Sequence, residues 1–204
     1  MADANTEKML TMATASHEDM MASHMGAELQ RGSSQYYSLC KAISRAARPF
    51  LKPRARVVDL SARGGDWVEP LVHEAAWQCR FHLFNATEED AHRCLDRFRM
   101  EAGLGTVQEF CLDLNNEFPP IPSDLTICSL ILSSFDNERQ DAILEGIHKH
   151  MHIGGALILV EKERADKDGH SSEELARRAE GKGFASTERI WTCGRYSAWM
   201  LRKV

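Results

Sequence analysis

A chain of 204 residues, 43% hydrophobic and 27% charged, has room for one well-buried domain and too little length for two of typical size. Its formal net charge of −5 gives no global attraction to nucleic acid or an anionic membrane, and the apolar run Ala156–Val160 is far too short to span a bilayer. Six scattered cysteines without a Cys-x-x-Cys pair fit a reducing cytoplasm, and charges at Asp3, Glu7, Lys8, Glu18 and Asp19 leave no signal-peptide core in the first 30 residues.

Residues 1–31 are rich in Met, Ala and His, and their methionines fall partly at helical spacing, which predicts one or two loosely packed helices. His17 and His24 lie seven apart without a third ligand, so no metal site is expected there. After Gly32-Ser33-Ser34, a helix is predicted from Gln35 to Phe50, with Tyr37, Cys40, Ile43, Ala47 and Phe50 at spacings of three to four. From Val57 the pattern alternates: strand 57–61, helix 66–77 with Asp66 as its cap, strand 80–85, helix 88–102 starting at Thr87 and strand 107–113. A Pro-rich loop at 118–122 leads to strand 124–132, helix 136–151, a break at Gly154-Gly155 and strand 156–161. A helix at 172–181 and two closing strands, 184–193 and 195–202 with a hairpin at Gly194-Arg195, complete the chain. Strands alternating with helices imply an α/β fold with a doubly wound, mostly parallel sheet, seven-stranded and closed by an antiparallel final strand.

Within this order, Arg56 to Trp67 is the stretch where chemistry is expected. Val57 and Val58 suit a strand buried on both faces. Asp59 ends it where such sheets bind ligands, and Gly64 and Gly65 allow a tight turn and close approach of a ligand to the backbone.

The elements at 57–65, the segment Ser123-Asp124-Leu125-Thr126-Ile127-Cys128, the run His152 to Val160 and the closing Trp199-Met200-Leu201-Arg202-Lys203 resemble the class I S-adenosylmethionine-dependent methyltransferases over residues 33–204. Glu138-Arg139-Gln140 and the stretch to Lys162 look most like the carboxy-S-adenosylmethionine synthase branch of tRNA wobble-uridine modification. That branch carries a long helical insertion after its fifth strand, where this chain has only Arg164–Ser171. The resemblance implies S-adenosyl-L-methionine as cofactor, held by Asp59, Ser61, Ala62, Arg63 and Gly65 of the first loop, Asn85 and Ala86 after the second strand, Leu112 and Asp113 after the third, and Ser129 on the fourth, facing the reactive methyl. The loop departs from the family's Asp/Glu-x-Gly-x-Gly-x-Gly at Ser61 and Arg63, and Asn85 stands where the family has a ribose-binding acid. Replacing a charged acceptor by a neutral one lowers a hydrogen bond from roughly 1.5–3 to roughly 0.5–1.5 kcal/mol, about tenfold in affinity.

The resemblance further implies a helical lid at residues 1–50, with Tyr36 and Tyr37 as lid or substrate candidates, on a Rossmann-like domain at 51–204. The expected function is methyl transfer to a small-molecule acceptor, without nucleic acid or membrane, with a homodimer as an open alternative; no catalytic base is identifiable. The altered loop keeps a second expectation open, an impaired homologue acting as a binding or regulatory subunit, with carboxy-S-adenosylmethionine synthesis or tRNA modification ranked below both. His82 and Arg195 are further polar groups that could reach the crevice. His148, His150 and His152 sit at a helix end, where divergent directions argue against a metal and the helix dipole favours positive imidazole. The basic run Arg45, Arg48, Lys52, Arg54 and Arg56 could bind phosphate or RNA, but beside the acidic clusters Glu88-Glu89-Asp90 and Glu173-Glu174 and the negative net charge it reads rather as solvated surface.

Overall fold

A computed structural model describes Leu29 and residues 32–61, 63–163 and 171–204; the methionine and histidine positions expected in the N-terminal helices, and Ala62, lie outside them. Helix α1 (Ser34–Ala47) starts where the Ser33 side chain accepts from the Tyr36 amide, and buries Tyr36, Leu39, Cys40, Ile43 and Ala47 along one stripe. A 3₁₀ turn, Arg48–Phe50, with Pro49 in its first turn, ends it. Strand β1 (Arg56–Asp59), helix α2 (Glu69–Ala75), strand β2 (Arg80–Asn85), helices α3 (Glu88–Arg97) and α4 (Arg99–Gly103), and strand β3 (Val107–Cys111) form the first half. The second half comprises β4 (Ser123–Ser129), α5 (Asn137–His150), β5 (Met151–Lys162), α6 (Ser172–Gly181), β6 (Ala185–Cys193) and β7 (Tyr196–Arg202).

The strands form a seven-stranded sheet in the order β3-β2-β1-β4-β5-β7-β6. Strands β1 to β5 pair in parallel, whereas β7 runs antiparallel to both β5 and β6, as the sequence pattern predicts. Alternate strand residues feed opposite faces, the two-residue period of a pleated sheet. Val57, Ile127 and Ile158 pack with α1, α2 and Phe98 on one side, while Val58, Cys128, Leu157 and Leu159 pack with α5 and α6 on the other. Residues 34–47 of the expected lid are thus packed into the first of these cores. Among the described residues no helix is long and apolar enough to cross a membrane.

Three local expectations are corrected. The helix expected over 88–102 breaks at Phe98 (φ −109°, ψ 33°), where the ring is fully buried beneath the first loop. Asp66 does not cap α2: the cap is Val68 without a side-chain bond, and the Asp66 carboxylate instead pairs with Arg97 at 2.7 Å. The glycine pair at 154–155 does not interrupt β5, which runs unbroken from Met151 to Lys162. Gly154 N donates to Lys203 O and Lys203 N to Gly155 O, so the backbone stays paired while a register shift between Ser123 and Leu125 absorbs the extra residues.

Candidate functional site

Strands β1 and β4 are neighbours from which the order runs outward both ways, and open α/β sheets bind ligands beyond the carboxyl ends of strands at such a switch point. Asp59 ends β1 there, fully buried. Its Oδ1 accepts from Ser61 N (2.9 Å) and Ser61 Oγ (3.2 Å), and Ser61 Oγ accepts in turn from Ser129 N (2.7 Å). One serine therefore ties the ends of β1 and β4 together. Among the described residues, Asp59 Oδ2, Ser129 Oγ and Trp67 Nε1 are buried without a hydrogen-bond partner. Burial pushes the Asp59 carboxyl up to about 7, against the two Ser61 bonds that lower it.

The loop that follows is left-handed at three successive residues, Arg63 (φ 43°), Gly64 (φ 69°) and Gly65 (φ 85°). Protein groups hold it. Gly64 N donates to Asn85 Oδ1 at 2.9 Å, and a Cβ on Gly65 would stand 2.2 Å from Phe98 Cε2. The close approach that this glycine permits in the structure is made by the Phe98 ring. On the outer side, Tyr36 Oη donates to Asp66 O at 2.6 Å, linking α1 to the loop, and Tyr37 lies exposed with its ring edge-on to Tyr36.

Asn85 is buried and turned toward the loop; its backbone oxygen accepts from Leu112 N at 2.9 Å, joining the ends of β2 and β3. Ala86 is exposed beside it, Leu112 is half-buried, and Asp113 is exposed. The Asp113 carboxylate accepts from Asn115 N, Asn115 Nδ2 and Asn116 Nδ2 at 2.7–2.9 Å, a turn that fixes its orientation. The structure thus links Asp59, Ser61 and Ser129 by hydrogen bonds and ties Asn85 to the loop through Gly64, next to Gly65, with Leu112 attached through the Asn85 backbone and Asp113 following it.

Glu161, on β5, was missed by the sequence reading. It is fully buried, its Oε1 accepts from Leu132 N (2.8 Å) and Ser133 N (3.4 Å), and burial pushes its carboxyl up to about 7. It anchors the segment after β4, which overlies the same end of the sheet. The available signal was an acid closing the apolar run 156–160, where a buried charge requires a reason. Cys128, influenced by both Asp59 and Glu161, has its thiol held well above the usual range by burial.

The histidine run is not a ligand set. His150 Nδ1 lies 2.9 Å from Gly146 O and His152 Nδ1 lies 3.0 Å from Asp124 Oδ1. His148 packs edge-on to Phe184, and burial pushes its pKa down, the reverse of the positive imidazole expected from the helix dipole. Among the described residues no group of three His, Cys, Asp or Glu could hold a metal ion. His82 is half-buried and stacked on Phe110, and the Arg195 guanidinium lies over the Tyr196 ring.

No protein-family model matches the sequence, and a search of curated proteins finds no match. Solved structures match the fold. An O-methyltransferase family protein from Burkholderia thailandensis aligns with a TM-score of 0.63 at 15% identity, covering 87% of this chain and 62% of that one. Human N-acetylserotonin methyltransferase in complex with SAM gives 0.63 at 17% identity, covering 83% and 53%. An S-adenosylmethionine-dependent methyltransferase from Clostridium acetobutylicum gives 0.67 at 11% identity, covering 86% and 95%. The chain therefore spans less than two thirds of the first two neighbours and nearly all of the third. With its strand order and antiparallel β7, it has the α/β Rossmann-like fold of the S-adenosylmethionine-dependent methyltransferases.

Proposed function

We propose that this chain binds S-adenosyl-L-methionine at the carboxyl ends of β1, β2 and β4 and transfers its methyl group to a small-molecule acceptor. The observation that carries this reading is the buried Asp59 carboxyl at the switch point, with one oxygen left without a partner among the described residues. A buried acid with an unused acceptor is costly unless a ligand completes it, and the cofactor carries an α-ammonium group suited to it. The unpartnered Ser129 Oγ is a second polar contact, Leu112 an apolar surface for the purine, and Asp113 an acceptor for its amino group. When bound, the cofactor supplies a sulfonium-activated methyl group. The residues of this chain position the reactants, an effect that contributes about 7–11 kcal/mol to well-oriented reactions.

A second reading, an impaired homologue that binds without turnover, is favoured by the same loop. Asn85 Oδ1 and the space above Gly65 are already taken up by Gly64 N and Phe98. Incubation with cofactor carrying a labelled methyl group and a small-molecule extract separates the readings. Label transfer that depends on the protein, reduced about tenfold or more by Asp59→Asn, is the expected outcome. Tight binding without transfer to any component would favour the impaired homologue.

A further inference from the structure

A second site lies at the opposite end of the sheet, on the amino ends of β1, β4 and β5. Here a groove of about 480 Å³ is lined by Lys52, Arg54 and Arg56 on one side and by His152 on the other, with Asp124 between them. Both oxygens of Asp124 are engaged, Oδ2 accepting from Arg56 N (2.8 Å) and Oδ1 lying 3.0 Å from His152 Nδ1. That pairing fixes the imidazole and leaves Nε2 without a partner among the described residues. The three cationic side chains are exposed and, among the described residues, none has an acidic partner. The neighbouring Arg48, by contrast, is paired with Glu74.

The backbone gives the second argument. Lys52-Pro53-Arg54-Ala55 is a β-turn closed by Ala55 N to Lys52 O at 2.9 Å, with Pro at the second position and φ +67° at the third. This is the type II arrangement, whose third position calls for Gly or Asn. Arg54 breaks that rule while its own amide is fixed to Gln78 O at 2.7 Å. That backbone bond holds the turn whatever the side chain, so the fold itself gives no reason for an arginine at this strained position, and such outliers point to a use beyond the fold. What it gains is an Arg54 guanidinium lining the same groove as the Arg56 guanidinium and the Lys52 ammonium, a set of donors suited to a multiply charged oxyanion.

We propose that this groove binds a phosphate-bearing small molecule, the diphosphate of a nucleotide or a similar metabolite. A confined groove with three cations fits such a ligand, and a chain of net charge −5 is poorly suited to an extended polyanion such as RNA.

The test uses the full chain at about 0.15 M salt, where charges more than about 8 Å apart are largely screened, titrated calorimetrically with inorganic pyrophosphate and, separately, with a single-stranded RNA oligomer. Wild type binds pyrophosphate at one saturable site. Arg54→Asn combined with Arg56→Gln weakens it by about tenfold or more, with the melting temperature of the Arg54→Asn single variant unchanged or raised, because Asn tolerates the left-handed turn position. Lys41→Ser with Arg45→Ser, which removes equal charge from exposed α1 positions that do not line the groove, leaves the affinity within about twofold, because neither side chain contacts a ligand seated there. Absence of saturation, equal weakening by the α1 control, or binding of the RNA but not of pyrophosphate would each overturn the proposal.

Discussion

Gly65→Ala lowers stability by about 3 kcal/mol, from a core overpacked against an aromatic ring and an alanine forced into left-handed backbone. The new Cβ stands 2.2 Å from Phe98 Cε2 and 2.9 Å from Phe98 Cζ, at a residue with φ 85°. For a chain of this length the melting temperature falls by about 6–12 °C. Phe98→Leu removes the two offending ring atoms, so the added cost of Gly65→Ala in that background drops to the backbone strain alone, about 1 kcal/mol. Denaturant unfolding of the two single variants and the double variant checks this. Additive effects would show that Phe98 does not set the requirement for glycine at 65.

The second large effect is a dependence of stability on pH from the two buried acids. Asp59 and Glu161 are each raised to about 7, from 3.8 and 4.5, with burial as the leading cause. Folded-state pKa values above the unfolded ones mean that the native state holds the protons more tightly. This stabilisation is full below about pH 4 and is lost as pH rises through 7. Raising Glu161 from 4.5 to about 7 corresponds to about 3 kcal/mol. His82 and His148, whose pKa values burial lowers, act in the opposite direction around pH 6, so the difference between variant and wild type isolates the acid. Glu161→Gln keeps an acceptor for Leu132 N and carries no charge. The variant therefore matches wild type near pH 4 and exceeds it by about 3 kcal/mol at pH 8. Parallel stability curves for the two proteins across that range would remove Glu161 as the source.

The sheet is where the sequence was most legible. The sheet could be read because Val57-Val58, Ile127-Cys128 and Leu157 to Val160 are apolar on both faces, a pattern produced by helices covering both sides of a parallel sheet. The β6–β7 hairpin could be read because Gly194 marks its turn. Tertiary partners were not legible. Nothing near Gly65 in sequence announces Phe98, 33 positions later, or the break at Phe98 in the helix expected over 88–102. Asp66 has the composition of a helix cap, but its carboxylate goes to Arg97, a pairing across 31 positions. The glycines at 154–155 punctuate the sequence, yet the strand passes through them because Lys203 supplies their backbone partners. At the candidate site, Asp59 and Ser129 could be placed from strand ends, and the serine link between them needed the sheet register. Asn85 illustrates the converse. Its position was readable, whereas the direction of its side chain toward Gly64 is set by the loop's fold.

The central claim is that the Asp59 end of the sheet binds the cofactor, and calorimetric titration with S-adenosylhomocysteine near pH 6.5 tests it most directly. That ligand keeps the α-ammonium group, so binding requires ionised Asp59, whose carboxyl is raised to about 7 in the ligand-free chain. The expected result is one saturable site with proton release, seen as a heat that varies with the ionisation enthalpy of the buffer, and an affinity that strengthens up to about pH 7 and then levels. Asp59→Asn loses the proton release. No binding heat at millimolar ligand, or saturable binding with unchanged proton release in Asp59→Asn, would contradict the account.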